Sequence, residues 1–365
     1  MPNFIIPEKR ECLMRYLGDL SQLGGVKRYT LSEGRAQGVD AIDVETGSGL
    51  CFTVLPGRGM DIAWTKFKGV PISYVSKTGV VNAAHYDPRG MNWLRSFFAG
   101  LLTTCGLCNA GSPSPDSHVL VGEMEHGLHG RISNTPAYAV HAEHRWDGDI
   151  CRIKVSGTVR ESSLHTENIT LYRTFDTILG SKFFTMTDVI TNEGFVSHPL
   201  MLLYHINIGW PLIDVGSRLV TASKSVRSGH EYSEERKAHY AEFEPPEILL
   251  RETSYMHDFI TDDSGNTEMA VINDNLTLAF ALKYKPAELP CFNQWKQMNA
   301  AEYVLGLEPG TTFPHGLDVA KSTGNIVYLE PGQTKTTTIE FGLLDDENEI
   351  AKLETRISKL VKVIK

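Results

Sequence analysis

Cys151-Arg-Ile-Lys-Val-Ser-Gly-Thr-Val159 sets small or apolar side chains at every second position and charged or hydroxylic ones between them. Leu276-Thr-Leu-Ala-Phe-Ala-Leu282 repeats the pattern, with its large apolar groups on one parity. A period of two sends successive side chains to opposite faces of an extended chain, so both segments predict half-buried β-strands. Working outward, short strands are also expected around Ala41 to Val44, Met60 to Phe67, Ile169 to Phe175, Phe183 to Ile190, Met201 to Ile208, Tyr303 to Leu307, Ile326 to Leu329 and Thr337 to Leu343. Gly47-Ser-Gly49, Asp147-Gly148, Asn192-Glu-Gly194, Gly265-Asn266 and Glu330-Pro-Gly332 punctuate them as turns. Many short strands without regular strand–helix alternation predict an all-β, mainly antiparallel fold, a large sandwich.

Helices are expected at the two ends. Leu13, Tyr16, Leu17 and Leu20 fall at i, i+3, i+4 and i+7 ahead of Gly24-Gly25, predicting a helix over about residues 7–22. From Asp345 an acidic start leads into Ile350, Leu353, Ile357, Leu360 and Ile364 on one face, with lysines late, as the helix dipole favours. This second helix is expected over about 346–364. No repeat or linker divides the chain, so residues 1–365 read as one domain with both helices packed on it. The stretch from Gly229 to Pro246, dense in Glu, Lys and His, is expected to leave the sheets as a solvated loop or a lid.

Composition narrows the class. A 365-residue chain that is 41% hydrophobic and 22% charged has enough apolar surface for a large core. Its 35 basic against 44 acidic residues give a net charge of −9, with no basic run to neutralise phosphates, which argues against a nucleic-acid partner. Ser96 to Pro115 and Gly194 to Ile213 carry no formal charge, but Gly, Pro, Asn or His interrupt them where a spanning helix needs Leu and Ile, so they are expected to be interior rather than membrane segments. The opening MPNFIIPEKRECLMRY breaks its apolar patch with charges and lacks a secretory core, which places the protein in the cytoplasm as an expectation. The six cysteines are scattered apart from Cys105-Gly-Leu-Cys108 and lack the second pair a zinc ribbon needs. They are expected to be free, reduced and mostly buried.

The sequence contains no phosphate loop, dinucleotide fingerprint, nucleophile elbow or His-Glu-x-x-His helix, so any chemistry is expected to run on side chains without a cofactor or metal. Three constellations carry candidate groups. Gly122-Glu-Met-Glu-His-Gly-Leu-His-Gly-Arg131 puts His126 and His129 beside glycines, either as a ligand-facing loop or as a tight turn with idle histidines. The intervening Gly disfavours a rigid metal-binding pair. In Leu202-Leu-Tyr-His-Ile-Asn-Ile-Gly-Trp-Pro211, period two groups Leu203, His205 and Asn207 on one face, and Trp210 offers a surface of the kind sugars stack on. A core histidine is the plain alternative. In Tyr303-Val-Leu-Gly-Leu-Glu-Pro-Gly-Thr311, Glu308 ends an apolar strand, where desolvation would raise its pKa toward that of a general base; an exposed turn glutamate is the plain alternative.

In this order, Leu128-His129-Gly130, Tyr204-His205-Ile206-Asn207 and Gly306-Leu307-Glu308-Pro309 resemble the galactose mutarotase and aldose 1-epimerase superfamily, including its glucose-6-phosphate epimerase branch. The likeness lies in motif order across most of the chain. Cys105-Gly-Leu-Cys108, Arg131 and the long N-terminal helix depart from typical members and mark a divergent branch. The resemblance implies a supersandwich whose concave sheet face gathers His129, His205 and Glu308. It further implies an isomerase that interconverts sugar anomers by ring opening, with Glu308 as base, His205 as acid and His129 polarising the ring oxygen. Arg95, Asn207, Asp258 (in His257-Asp258-Phe259, similar to a family segment with its order changed), His126 and Arg131 would bind substrate, with Trp210 or Trp295 stacking on it. The implied partner is a small sugar, with no nucleic acid and no membrane, and a homodimer is allowed.

Two other readings remain open. The same acid and base could act on a modified sugar, a phosphate, a sulfonate or a keto-glycoside, with Arg131 or Arg58 facing its anion. A sugar-binding protein without turnover is the alternative from a different class, disfavoured because binding alone does not need an acid–base pair.

Overall fold

The computed structural model describes residues 6–362. Its strands build two large antiparallel sheets, as the alternating pattern requires. The twelve-stranded sheet runs Gly25–Thr30, Asp40–Glu45, Leu50–Leu55, Asp61–Phe67, Leu102–Leu107, His198–Gly209, Glu302–Gly310, Cys291–Asn299, Thr253–Phe259 and Ser223–Ser228, with two short strands off this path. The eight-stranded sheet contains Arg218–Thr221, Thr267–Asn273, Leu278–Tyr284, Thr334–Leu344, Phe183–Asn192, Asn168–Ile178, Ile150–Ser162 and Tyr138–Asp147. A hairpin of Ser114–His118 with Gly122–His126 stands apart.

Strand parity separates the core from the site. Along His198–Gly209, Leu202, Tyr204, Ile206 and Ile208 enter the main apolar cluster with Phe175, Phe184, Phe280 and Phe341 of the other sheet. Met201 and Leu203, on the opposite parity, belong to a second cluster with Trp93 and Phe97. His205 and Asn207 share that outer face. Ser96–Pro115 and Gly194–Ile213 are uncharged because each contains a strand of this sheet, Leu102–Leu107 and His198–Gly209, whose residues are buried almost throughout. Among the described residues, no helix is long and apolar enough to cross a membrane.

A buried ionic network joins the sheets behind the site. Arg173 reaches Asp188 at 2.6 Å and Asp61 at 2.9 Å, and all three are fully buried. Tyr204, the neighbour of His205, donates its hydroxyl to the same Asp188 at 2.7 Å.

The ends differ from each other. The helix expected at the C-terminus spans Glu347–Lys362 and lays Ile350, Leu353 and Ile357 on Ala270, Ile272, Ala279 and Ala281. Ile364, counted on its apolar face from sequence, lies outside the described residues. The N-terminal helix is much shorter than expected, covering Arg10–Met14, with a separate turn at Leu20–Gln22. Leu13 and Leu20 are buried as the periodicity requires, but Tyr16 is 80% exposed, and the Asp19 carboxylate accepts the Ser21 N–H to start a new turn. The Gly229–Pro246 excursion holds two single turns and is docked rather than free: Tyr240 O accepts from Gln294 Nε2 at 2.7 Å and His239 O from Lys296 Nζ at 3.1 Å.

Candidate active site

His205 and Glu308 lie on adjacent strands of the twelve-stranded sheet. Register pairs Leu203 with Gly310 and Ile206 with Leu307, which sets His205 opposite Glu308. Their side chains meet at 3.2 Å, Nε2 to Oε1, with His205 5% and Glu308 2% exposed. Gly306, on the same face two residues before Glu308, leaves the room this contact needs. A Cβ there would stand 2.8 Å from Glu308 Oε1 and 3.3 Å from His205 Cε1.

The other oxygen of Glu308 accepts from Asn293 Nδ2 at 2.8 Å, and Asn293 Oδ1 accepts from Ser254 Oγ at 2.6 Å. Ser254 in turn donates its N–H to Ser233 Oγ in the excursion, 2.9 Å away. Trp295, two residues from Asn293 on the same strand face, sets its ring 5.2 Å from that of His205 and donates Nε1–H to Glu252 at 2.7 Å.

His129 arrives from a loop. Its backbone has φ +56°, and its ring lies 6.0 Å from that of His205. Nδ1 accepts from the Gly111 N–H at 3.2 Å, which leaves the proton of a neutral ring on Nε2. Gly111 must lack a side chain, because at φ +89° a Cβ would fall 1.9 Å from the Pro314 carbonyl. Trp93 packs 4.6 Å from the His129 ring and stacks on Phe97, whose ring is 5.2 Å from His205. Three aromatic rings therefore enclose two imidazoles and one carboxyl.

Burial sets the charge state. Desolvation pushes Glu308 up to about 8, against the pull of the Asn293 amide and with a further push from Glu252. It pushes His205 down to about 4, partly offset by Asn207 and Glu252. His129 falls to about 3 through burial and the neighbouring His205. Two groups 3.2 Å apart titrate as a pair, and burial favours the neutral form of each, the carboxylic acid at Glu308 and the neutral ring at His205. The upward shift of Glu308 is the direction expected from its place at the end of an apolar strand, because the apolar walls penalise the ion more than the neutral acid.

Residues 36–343 match the family described as a domain of unknown function (DUF4432). The chain belongs to that family. No curated protein matches it. Its fold is that of the galactose mutarotase and aldose 1-epimerase superfamily. A structure of a candidate aldose 1-epimerase from Klebsiella pneumoniae superposes on this DUF4432 chain with a TM-score of 0.85 at 24% identity, covering 94% of this chain and 90% of that one. A galactose mutarotase-like protein from Clostridium acetobutylicum gives 0.61 at 14% identity, over 89% and 100%. A galactose 1-epimerase from Lactobacillus acidophilus gives 0.56 at 11% identity, over 88% and 99%.

In this DUF4432 chain the structure gathers Glu308, His205, His129, Asn207 and Trp295 on one face and sets other sequence candidates elsewhere. Arg95 is exposed, with its guanidinium on Asn92. His126 is buried against Asp116 at 3.2 Å within the separate hairpin. Arg131, half-buried, lies near enough to Glu161 and Tyr86 to pull both of their pKa values down against burial. Arg58 cannot face a substrate anion, because it is 1% exposed and donates to the carbonyls of Ser133, Val81 and Ser96. Trp210 is 63% exposed beyond the strand end, five residues or ~16 Å of extended chain from His205. Asp258 shares the outer face but hydrogen-bonds Ser225 and Arg227.

Sequence reasoning missed Asn293, Gly306, Trp93, Phe97 and Glu252. Period two counted back from Trp295 reaches Asn293, counted back from Glu308 reaches Gly306, and counted back from Met256 reaches Glu252 just before Thr253–Phe259; Trp93 and Phe97 come from a segment that no periodicity links to the sheet. One metal-capable set exists among the described residues, the buried Cys108, Glu161 and Glu167 with ligand atoms within 4.8 Å, and it includes none of the gathered groups. A hollow of about 1290 Å³ opens between the separate hairpin and Leu317–Thr323 and is likewise apart from them.

Proposed function

We propose that the protein is an aldose 1-epimerase-like isomerase that interconverts sugar anomers by acid–base ring opening. The observation that carries this reading is the buried His205–Glu308 pair, 3.2 Å apart, with the His129 ring 6.0 Å from that of His205. Ring opening takes the proton from O1 and gives one to the ring oxygen; reclosure after rotation about the C1–C2 bond reverses both transfers. A pair with one mobile proton supplies one acceptor and one donor in each direction, and neither needs a metal or nucleotide. With its proton passed to His205, Glu308 serves as the base at O1 and the imidazolium as the acid, while His129 Nε2–H polarises the ring oxygen. Aromatic walls give the apolar faces of a pyranose something to stack on, and Asn207 supplies an amide for a hydroxyl.

NMR saturation transfer between α- and β-anomers, with polarimetry on freshly dissolved sugars, tests the reading. Exchange faster than the buffer rate is expected for at least one aldose. Binding of sugars without accelerated exchange would make the protein a lectin-like binder instead.

A further inference from the structure

The outer face of the twelve-stranded sheet carries a row of side chains, one from each of six neighbouring strands. Thr103 pairs with His205, and His205 stands opposite Glu308. Glu308 pairs with Asn293, Asn293 with Met256, and Met256 with Arg227 on the edge strand Ser223–Ser228. Directly paired residues of antiparallel strands present their side chains to the same face. Arg227 therefore closes the row, three strand spacings or ~14 Å of backbone from Glu308. A sugar ring over the His205–Glu308 pair, with a substituent projecting along the row and the arginine side chain reaching back, would span that interval.

The end of the row is suited to charge. The Arg227 guanidinium lies 5.7 Å from the centre of the Phe313 ring, which supports its plane, and one of its donors reaches Asp258 at 3.4 Å. A guanidinium has five N–H donors, and among the described residues Asp258 alone accepts from this fork, which leaves donors for another acceptor. Its side chain is 53% exposed, and an exposed pair with Asp258 binds it only weakly. Met256, between Asn293 and Arg227, offers hydroxyls no hydrogen bond, so polar recognition beyond the ring falls to Arg227, with Asp258 beside it. Of the two arginines that the sequence offers for an anion, Arg58 is spent on backbone carbonyls and Arg131 is half-buried near Glu161 and Tyr86.

We infer that Arg227 recognises an anionic substituent, so the substrate class is an acidic aldose, one bearing a phosphate, sulfonate or carboxylate at C6. This inference rests on the sugar reading of the Glu308 site.

The test compares gluco- and galacto-configured neutral hexoses with their 6-phosphates, 6-sulfonates and uronates. Calorimetry reads binding and saturation transfer reads anomer exchange, for wild type, R227Q and R227K. At least one acidic class is expected to bind ~10–100-fold tighter than its neutral parent, the range of one or two charge-assisted hydrogen bonds. R227Q should abolish that preference and R227K should keep part of it. Equal affinity for neutral and acidic sugars in the wild type, no binding of any acidic sugar, or a preference that survives R227Q, each overturns the inference. Arg227-dependent binding of an acidic sugar without exchange would uphold it and defeat the epimerase reading. Rapid exchange of neutral sugars without acidic preference would do the reverse.

Discussion

At Glu308 the chemistry and the stability of the chain pull in opposite directions. Its folded pKa of about 8 lies above the ordinary 4.5, so the folded state keeps a proton that the unfolded state has lost between those values. Stability contributed by the neutral acid is present below pH 4.5 and is lost as pH rises toward 8. E308Q removes the ionisation while keeping the shape. Its Tm should therefore gain on the wild type progressively across that window in thermal melts, while anomer exchange falls ~10²–10⁴-fold. An E308Q variant with unchanged exchange would remove Glu308 from the mechanism. On the proposed mechanism the singly protonated pair is the competent form, so kcat/KM for exchange should hold level between about 4 and about 8 and fall on either side. Asn293 fixes the upper limb, because its amide stabilises the ionised carboxylate. N293A leaves that ion worse solvated, raises the pKa, and should move the high-pH limb upward, whereas a purely structural role would lower the rate without moving the limb.

At the scale of strands, parity is what the sequence displays and loop reach is what it hides. His205, Asn207 and Glu308 could be placed because each sits on a strand whose alternation shows which neighbours share its face. Arg58 and Arg95 could not, since nothing in Pro56-Gly-Arg-Gly-Met60 or Trp93-Leu-Arg says where a loop turns its guanidinium. The N-terminal helix shows a different limit: Leu13 and Leu20 satisfy a helical period and are both buried, yet Asp19 caps a new turn between them. The same parity makes Gly306 a test of the element itself. Alanine suits a strand better than glycine by roughly 0.5–1 kcal/mol, so G306A should fold at least as readily in a Tm assay if its Cβ finds space. That Cβ instead meets Glu308, Trp295 and His205. The expected outcome is loss of exchange with little change in Tm, and full activity in G306A would show that the pair tolerates displacement.

Across the whole molecule, the site depends on how the two sheets are fastened together behind it. His205 shares its strand with Tyr204, whose side chain points the other way into the buried network of Arg173, Asp61 and Asp188. Asp61 comes from the twelve-stranded sheet, and Arg173 and Asp188 from the eight-stranded one, so the arginine bridges the layers directly beneath the acid–base pair. Arg173 is held well above its ordinary pKa by the two carboxylates, which outweigh the cost of its burial. Asp61 is pushed up to about 6 by desolvation that Arg173 only partly offsets. Removing the cation strands two carboxyl groups in the core, a defect that typically costs ~3–5 kcal/mol. For a chain of 365 residues this lowers Tm by roughly 4–7 °C. R173M should show that loss in calorimetry, and adding D188N should recover part of it by removing one of the stranded charges. Recovery in the double variant separates uncompensated charge from lost packing: if D188N only deepens the loss, packing around the arginine, rather than its charge, holds the sheets in register behind His205 and Glu308.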